Sequence, residues 1–224
     1  GPEWAARTGN HSAPFPNVLF YSGPASPKQA ALTFDDGPDI YFTTQILDIL
    51  RRHNLKATFF IVGARAKAHP EMVKRIAAEG HAIGNHTWDH PVLPRLTRQQ
   101  LRNEITQTEQ VLDSILGYHP AIFRPPYGSA STSDIKEISS MGYKVIDWSA
   151  DTRDWAGTPV SQIMNFVRRE LRPGGIILEH CAGGKGENLS NTVQALPEII
   201  SMLETQKYKI VRIPELLNIQ AKMK

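Results

Sequence analysis

Short apolar runs alternate with helix-like segments along most of this chain, and that alternation limits its fold more than any other feature. Residues 30–34, 57–62, 81–84, 121–123, 144–148, 175–178 and 208–212 read as strands. Between them, residues 43–53, 71–79, 97–116, 133–141, 159–171 and 190–204 carry apolar side chains at helical spacing, and a closing helix starts at Pro214. The longest helix has Thr97 placed to cap it and Gly117 to end it, and Gly80 and Gly142 close two others. Strand–helix alternation at intervals of roughly 25–35 residues argues for parallel βαβ units. About seven units fit, which favours a barrel-like closure over an open sheet. The expectation is one α/β domain over residues 29–224. Residues 1–28, rich in Pro, Gly, Ser and Asn, form an irregular arm that pins Trp4, Phe15, Phe20 and Tyr21 onto it.

Composition serves mainly to exclude. The 224 residues hold 41% hydrophobic and 21% charged side chains, the balance of an ordinary globular domain rather than a disordered one. A net charge of +3 without any like-charged run gives no reason to expect nucleic acid, though it suits a polyanionic surface such as a cell wall. No stretch approaches the ~20 apolar residues of a membrane span. Cys181 is the single cysteine, so no internal disulfide forms. Gly1-Pro2 reads as a protease-cleavage scar, which leaves room for a targeting segment removed ahead of it. A monomer is the default.

Five segments carry the chemistry. Ala31-Leu-Thr-Phe-Asp-Asp-Gly-Pro-Asp39 runs a strand into two adjacent carboxylates. Neighbouring strand side chains point to opposite sides, so Asp35 and Asp36 could divide metal binding and reactant contact. Alone, the segment reads first as a polar turn after a strand. Asn85-His-Thr-Trp-Asp-His90 follows the third strand, and in a helical turn its two imidazoles would share one face. Both segments fall at the C-terminal ends of parallel strands, where barrel sites assemble. A His-His-Asp set suits a catalytic divalent ion, zinc first, with cobalt and nickel sharing the preference. Arg124-Pro-Pro-Tyr-Gly128 is a rigid turn, Asp147-Trp-Ser-Ala-Asp-Thr-Arg-Asp-Trp155 gathers three carboxylates and two indoles, and Ile176-Ile-Leu-Glu-His180 ends a strand on a histidine.

Together, T-F-D-D-G-P, H-x-x-x-H, R-P-P-Y-G, D-x-x-D-W and L-x-H resemble the polysaccharide deacetylases, the NodB-homology group of carbohydrate esterase family four. The likeness spans roughly residues 18–217, with the motifs in the family's order. It implies a distorted (β/α) barrel of fewer than eight strands and a substrate among the acetylated polysaccharides: peptidoglycan, chitin, xylan or exopolysaccharide. It implies one divalent metal ion on Asp36, His86 and His90, with Asp35 as general base. Arg124 would pair with Asp35, favour its charged form and orient it. The Tyr127 backbone N–H would help stabilise the oxyanion. His180 would be the general acid, tuned by Asp154 with Asp151 in reserve. Trp155, Leu178, Tyr127 and Pro126 would face the substrate, with Trp88 and Trp148 as further stacking surface. The setting would be extracellular, at a bacterial wall, with an N-acetylglucosamine polymer as substrate.

The chemistry is coherent without the name. Amide hydrolysis needs an activated water, an electrophile for the carbonyl oxygen and an acid for the leaving amine. Base and acid held at opposite protonation states give a bell-shaped pH profile. Two positions depart from the family pattern. Glu179 stands where an apolar residue is usual, and strand alternation sends it towards the helix layer, where it needs a partner or solvent. Cys181-Ala-Gly-Gly-Lys-Gly186 follows the terminal histidine, with Cys181 read as a small buried filler rather than a reactive thiol. The rival readings are an esterase acting on O-acetylated xylan or a deacetylase of exopolysaccharide, a hydrolase of small cyclic amides, and a weakly catalytic glycan-binding module.

Overall fold

The structure is a computed structural model that describes residues 15–223. Among these, nine strands form one sheet: β1 (Leu19–Phe20), β2 (Gln29–Asp35), β3 (Thr58–Ile61), β4 (Ala82–Asn85), β5 (Ile122–Phe123), β6 (Lys144–Ile146), β7 (Ala150–Asp151), β8 (Gly175–His180) and β9 (Lys209–Ile210). Eight helices wrap it: α1 (Phe42–Arg52), α2 (Gly63–Ala68), α3 (Pro70–Ala78), α4 (Arg98–Leu116), α5 (Thr132–Ser140), α6 (Val160–Glu170), α7 (Ser190–Thr205) and α8 (Ile213–Leu217). The α4 boundaries follow from local chemistry. Thr97 accepts from the Gln100 N–H, the Gln100 side chain accepts from the Thr97 N–H, and Gly117 ends the helix at φ 81°.

The strand order is β1-β6-β5-β4-β3-β2-β8-β7, with every ladder parallel. One edge of β2 is taken by β8 along Ala30–Asp35, while its other edge is divided between β3 at Thr33–Asp35 and β9 at Gln29–Ala30. The sheet curls, but β1 and β7 do not pair. The chain between β6 and β7 crosses the gap, with Asp147 N–H donating to Phe20 O at 2.8 Å and Ser149 N–H to Ile176 O at 3.0 Å. This is a distorted barrel, interrupted at one seam.

Alternation sorts the core into two layers. Ala31, Phe60, Ile122, Ile146 and Ile176 fill the barrel interior. Ala30, Leu32, Phe34, Phe59, Ile61 and Ile177 point outward against α1, α3, α6 and α7. Where about seven strands were expected, the additional β1 and β7 are two residues long and lie outside the apolar runs, β1 in the Pro-rich arm and β7 in a polar segment. β1 also lies inside the arm expected to be irregular, and Phe15, Val18 and Tyr21 pack beside it onto the α4–α5 side of the sheet. Trp4 lies outside the described residues.

Candidate active site and metal centre

The inner face of β2 presents Ala31, Thr33 and Asp35, and its C-terminal end opens into a cavity of about 780 Å³. Asp35 is 3% exposed, and Arg124, just beyond β5, is fully buried beneath the cavity. The Arg124 guanidinium donates from Nη1 to Asp35 Oδ1 and to Thr33 Oγ1, both at 2.8 Å. Nε reaches Ile146 O at 3.0 Å and Nη2 reaches Asp147 O at 2.9 Å. Its plane lies over the Phe60 ring at 4.3 Å. A buried cation with its donors so distributed cannot rotate, and neither can the carboxylate it holds.

Asp36 does not continue the strand alternation. It leaves β2 with φ 78°, in the left-handed region, so Asp35 and Asp36 line the same cavity instead of facing opposite sides. His86 and His90 likewise converge without a helical turn. Residues 86–90 form an irregular loop with Thr87 at φ 72° and His90 at φ 66°. Asp36 Oδ1 lies 3.2 Å from His86 Nε2 and 3.1 Å from His90 Nε2.

One ligand atom from each of Asp36, His86 and His90 falls within 4.8 Å of the others. His86 Nδ1 donates to the Arg124 carbonyl at 2.6 Å, which leaves its buried Nε2 lone pair directed at Asp36. Neither His86 Nε2 nor Asp36 Oδ1 has a hydrogen-bond donor. Two buried acceptors in contact call for a cation between them, and the donor set fits a divalent ion. In the absence of an ion, burial opposes the charged form of Asp36. The two adjacent imidazoles, His86 and His90, and the charge on His180 outweigh it and hold the carboxyl well below its ordinary range.

His180 stands directly across from Asp35 in the β2–β8 register. Its Nδ1 donates to Asp154 Oδ1 at 2.7 Å, and its backbone N–H to Asp154 Oδ2 at 2.8 Å. Thr192 of α7 donates to the same Oδ2 at 2.9 Å. Nε2 therefore faces the cavity, 3.9 Å from Asp36 Oδ2. Burial pulls the His180 imidazole down, but the charge and hydrogen bond of Asp154, then Asp36 and Asp35, raise it to about 10. Asp154 rather than Asp151 is the partner. Asp151 sits on the cavity wall with Oδ1 accepting from the Arg153 N–H at 2.9 Å, and its carboxyl is raised by burial.

Trp155 and Tyr127 are 48% and 45% exposed at the rim, with Leu178 and Trp148 deeper in the wall. Tyr127 holds φ 59°, an outlier for so bulky a residue, and its ring stands edge-on to His90 at 4.7 Å. Two expected substrate-side residues contribute no cavity surface. Pro126 is buried under the turn that presents Tyr127. Trp88 is carried by the left-handed step at Thr87 towards α2, against Gly63. Thr33 and Thr192, absent from the sequence reading, hold the two functional pairs. Thr33 was accessible from strand period, two residues before Asp35; Thr192 had no local signal.

Cys181 is buried against Gly37, where a side chain would meet its sulfur at 2.5 Å, and burial pushes the thiol well above its ordinary value. It is a filler. Glu179 points outward as alternation requires, opposite Phe34, and its Oε2 has no partner. Protonation substitutes for that partner: burial, then Asp154, push the carboxyl well above its ordinary 4.5. An acid raised on folding withdraws stability as pH climbs past its unfolded value. Glu179→Gln, neutral at every pH, is expected to remove that slope and to be about 1–3 kcal/mol more stable at pH 8. Urea unfolding across pH 5–9 checks this, and an unchanged slope would contradict it.

Comparisons with known proteins bear on most of the chain. A family model described as polysaccharide deacetylase matches residues 22–146. A peptidoglycan-N-acetylglucosamine deacetylase of Bacillus cereus is 43% identical over 196 residues, covering 88% of this chain and 70% of that protein. A chitooligosaccharide deacetylase of Bradyrhizobium is 33% identical over 205 residues, covering 88% and 94%. The crystal structure of the Bc1960 peptidoglycan N-acetylglucosamine deacetylase superposes with a TM-score of 0.89 at 41% identity, covering 92% of this chain and 95% of that one.

Proposed function

Because the chain belongs to the polysaccharide deacetylase family, we propose that it removes N-acetyl groups from N-acetylglucosamine residues of a bacterial wall polymer, peptidoglycan first, outside the cell. The observation that carries this reading is the pairing of a rigidly held carboxylate with a carboxylate-backed imidazole across one cavity. Asp35 on Arg124 and His180 on Asp154 meet it from adjacent strands.

Asp36, His86 and His90 would hold one divalent ion, zinc first. When bound, such an ion lowers the pKa of a water to near neutrality and polarises a carbonyl. Asp35, fixed by Arg124, takes the proton of the attacking water at its inward oxygen. His180, protonated at Nε2 and oriented by Asp154, delivers a proton to the departing sugar nitrogen. The Tyr127 backbone N–H, at the turn that buries Pro126, supplies a donor to the developing oxyanion. Trp155 and Tyr127 offer exposed rings for stacking the sugar, and Leu178 an apolar wall for the acetyl methyl.

Acetate release from chitooligosaccharides and from N-acetylated peptidoglycan, with and without Zn²⁺ or Co²⁺, tests the proposal. Release is expected to depend on metal, to stop on chelation, and to fall at least about 10³-fold in Asp35→Asn. Metal-independent release, or full activity in the variant, would overturn it.

A further inference from the structure

We propose that Arg65 reads a carboxylate carried by the glycan beside the reacting sugar and so sets a preference for anionic over neutral polymers. The inference rests on the deacetylase reading of the same cavity. Five acidic residues line that cavity: Asp35, Asp36, Asp89, Asp151 and Glu187. Apart from the histidines, Arg65 is the cation among the described lining residues, since Arg124 lies beneath the surface with its donors directed at Asp35, Thr33 and backbone carbonyls.

Arg65 sits half-buried on α2 and donates from Nη2 to the Gly183 carbonyl at 2.7 Å, across to the loop between β8 and α7. Among the described residues it forms no ion pair. The rim carboxylates are engaged elsewhere. Glu187 Oε1 accepts from the Gly184 N–H. Asp89 is hydrogen-bonded to Glu104, whose carboxyl is raised by burial and by that contact. A guanidinium carries five N–H donors in a planar fork matched to a carboxylate, and here one bond to a carbonyl leaves the rest of the fork open at the cavity.

The cavity, about 780 Å³, exceeds what one acetylated sugar fills, since sites of ~300–1,000 Å³ accept drug-sized ligands. That leaves room for a neighbouring saccharide in the same cavity, which Arg65 lines. In peptidoglycan that neighbour is a muramic acid, whose carboxylate is either the free lactyl group or one on an attached stem peptide. A chitin oligomer has neither.

Initial rates of acetate release, resolved into kcat and KM, would be measured for wild type, Arg65→Gln and Arg65→Lys. Three substrates serve: a neutral N-acetylglucosamine tetramer, an alternating muramic acid tetramer with free lactyl carboxylates, and the same tetramer bearing stem peptides. Arg65→Gln is expected to raise KM for a carboxylate-bearing tetramer about 10-fold while leaving kcat and the neutral tetramer within twofold. Arg65→Lys is expected to keep most of the preference, and high salt to erode it. An effect confined to the lactyl form or to the stem-peptide form identifies the source. An equal loss on neutral and charged substrates would mean that Arg65 only tethers Gly183, and no change on any would mean that it does nothing here; both overturn the proposal. No acetate from any substrate with wild type would overturn the deacetylase reading instead. Calorimetric binding of the same tetramers to Asp35→Asn, with and without Arg65→Gln, then decides the Arg65 question: weaker binding of the charged tetramers alone supports it, and any other pattern refutes it.

Discussion

Arg124→Met is expected to lower folding stability by about 3–5 kcal/mol, because it removes one partner of a fully buried ion pair and leaves the other without one. Arg124 is 0% and Asp35 3% exposed, so water does not replace the lost contacts. The Ile146 and Asp147 carbonyls and the Thr33 hydroxyl lose donors in the same step. Met keeps much of the volume and the packing over Phe60, which confines the loss to electrostatics and hydrogen bonding. Adding Asp35→Asn should restore part of it, since a neutral amide needs no counter-charge. The double-mutant cycle would then show a coupling of about 1–3 kcal/mol. The urea midpoint, with the m-value unchanged, is the measurement. A single variant within 1 kcal/mol of wild type would mean that Asp35 finds other support.

Asp154→Asn is expected to lower kcat by a factor on the order of 10²–10⁴ and to move the alkaline limb of the pH profile down. After burial, which pulls the other way, Asp154 heads the causes that raise His180 to about 10, so its removal takes away the largest of them. His180 must be protonated to act as an acid, and activity is lost as pH rises through its pKa. The limb therefore shifts towards lower pH in the variant. A cation on Asp36 pushes the His180 pKa down in both proteins, so the sign of the difference survives metal binding. Stability follows the same direction. The raised pKa stabilises the fold fully below the ordinary 6.5 and loses that contribution as pH climbs towards 10, a dependence that the variant should flatten. Rate–pH profiles of both proteins on one substrate check the first effect. A drop in kcat with an unmoved limb would assign Asp154 to holding the loop alone.

The long elements and the chemistry at their ends were legible in the sequence, and geometry between elements was not. Seven expected strands all appear, with ends shifted by a few residues, because each lies within an apolar run between two helix-like segments. β1 escaped because it lies in a Pro- and Gly-rich arm and β7 because it lies in a polar, carboxylate-rich segment, and α2 because six residues hidden between a strand and α3 show no apolar stripe. The positions of Asp35, His180 and Arg124 follow from strand order. Asp36, His86 and His90 reach the same cavity for a reason that the sequence pattern did not carry. Strand alternation would have separated Asp36 from Asp35, and helical spacing was the wrong account of the histidine pair. Trp88 was assigned to the substrate as an aromatic and Pro126 through the family resemblance, whereas backbone direction decides which side chain meets the cavity. Glu179 went the other way: alternation alone put it in the helix layer, and the structure agrees.

Among the described residues, five of the eight non-glycine residues with positive φ, namely Asp36, Thr87, His90, Tyr127 and Arg153, lie in the loops around the cavity. Each such step costs on the order of 1–3 kcal/mol and persists only where its surroundings enforce it. The site is therefore not portable as a set of side chains. Grafting Asp35, Asp36, His86, His90 and His180 onto an idealised parallel barrel would return Asp36 to the outer face and spread the histidines along a strand end. Catalytic constellations tolerate only about 0.5 Å of misplacement. What a lineage of such proteins must inherit intact is the sequence of left-handed turns, and with it the packing that keeps them wound.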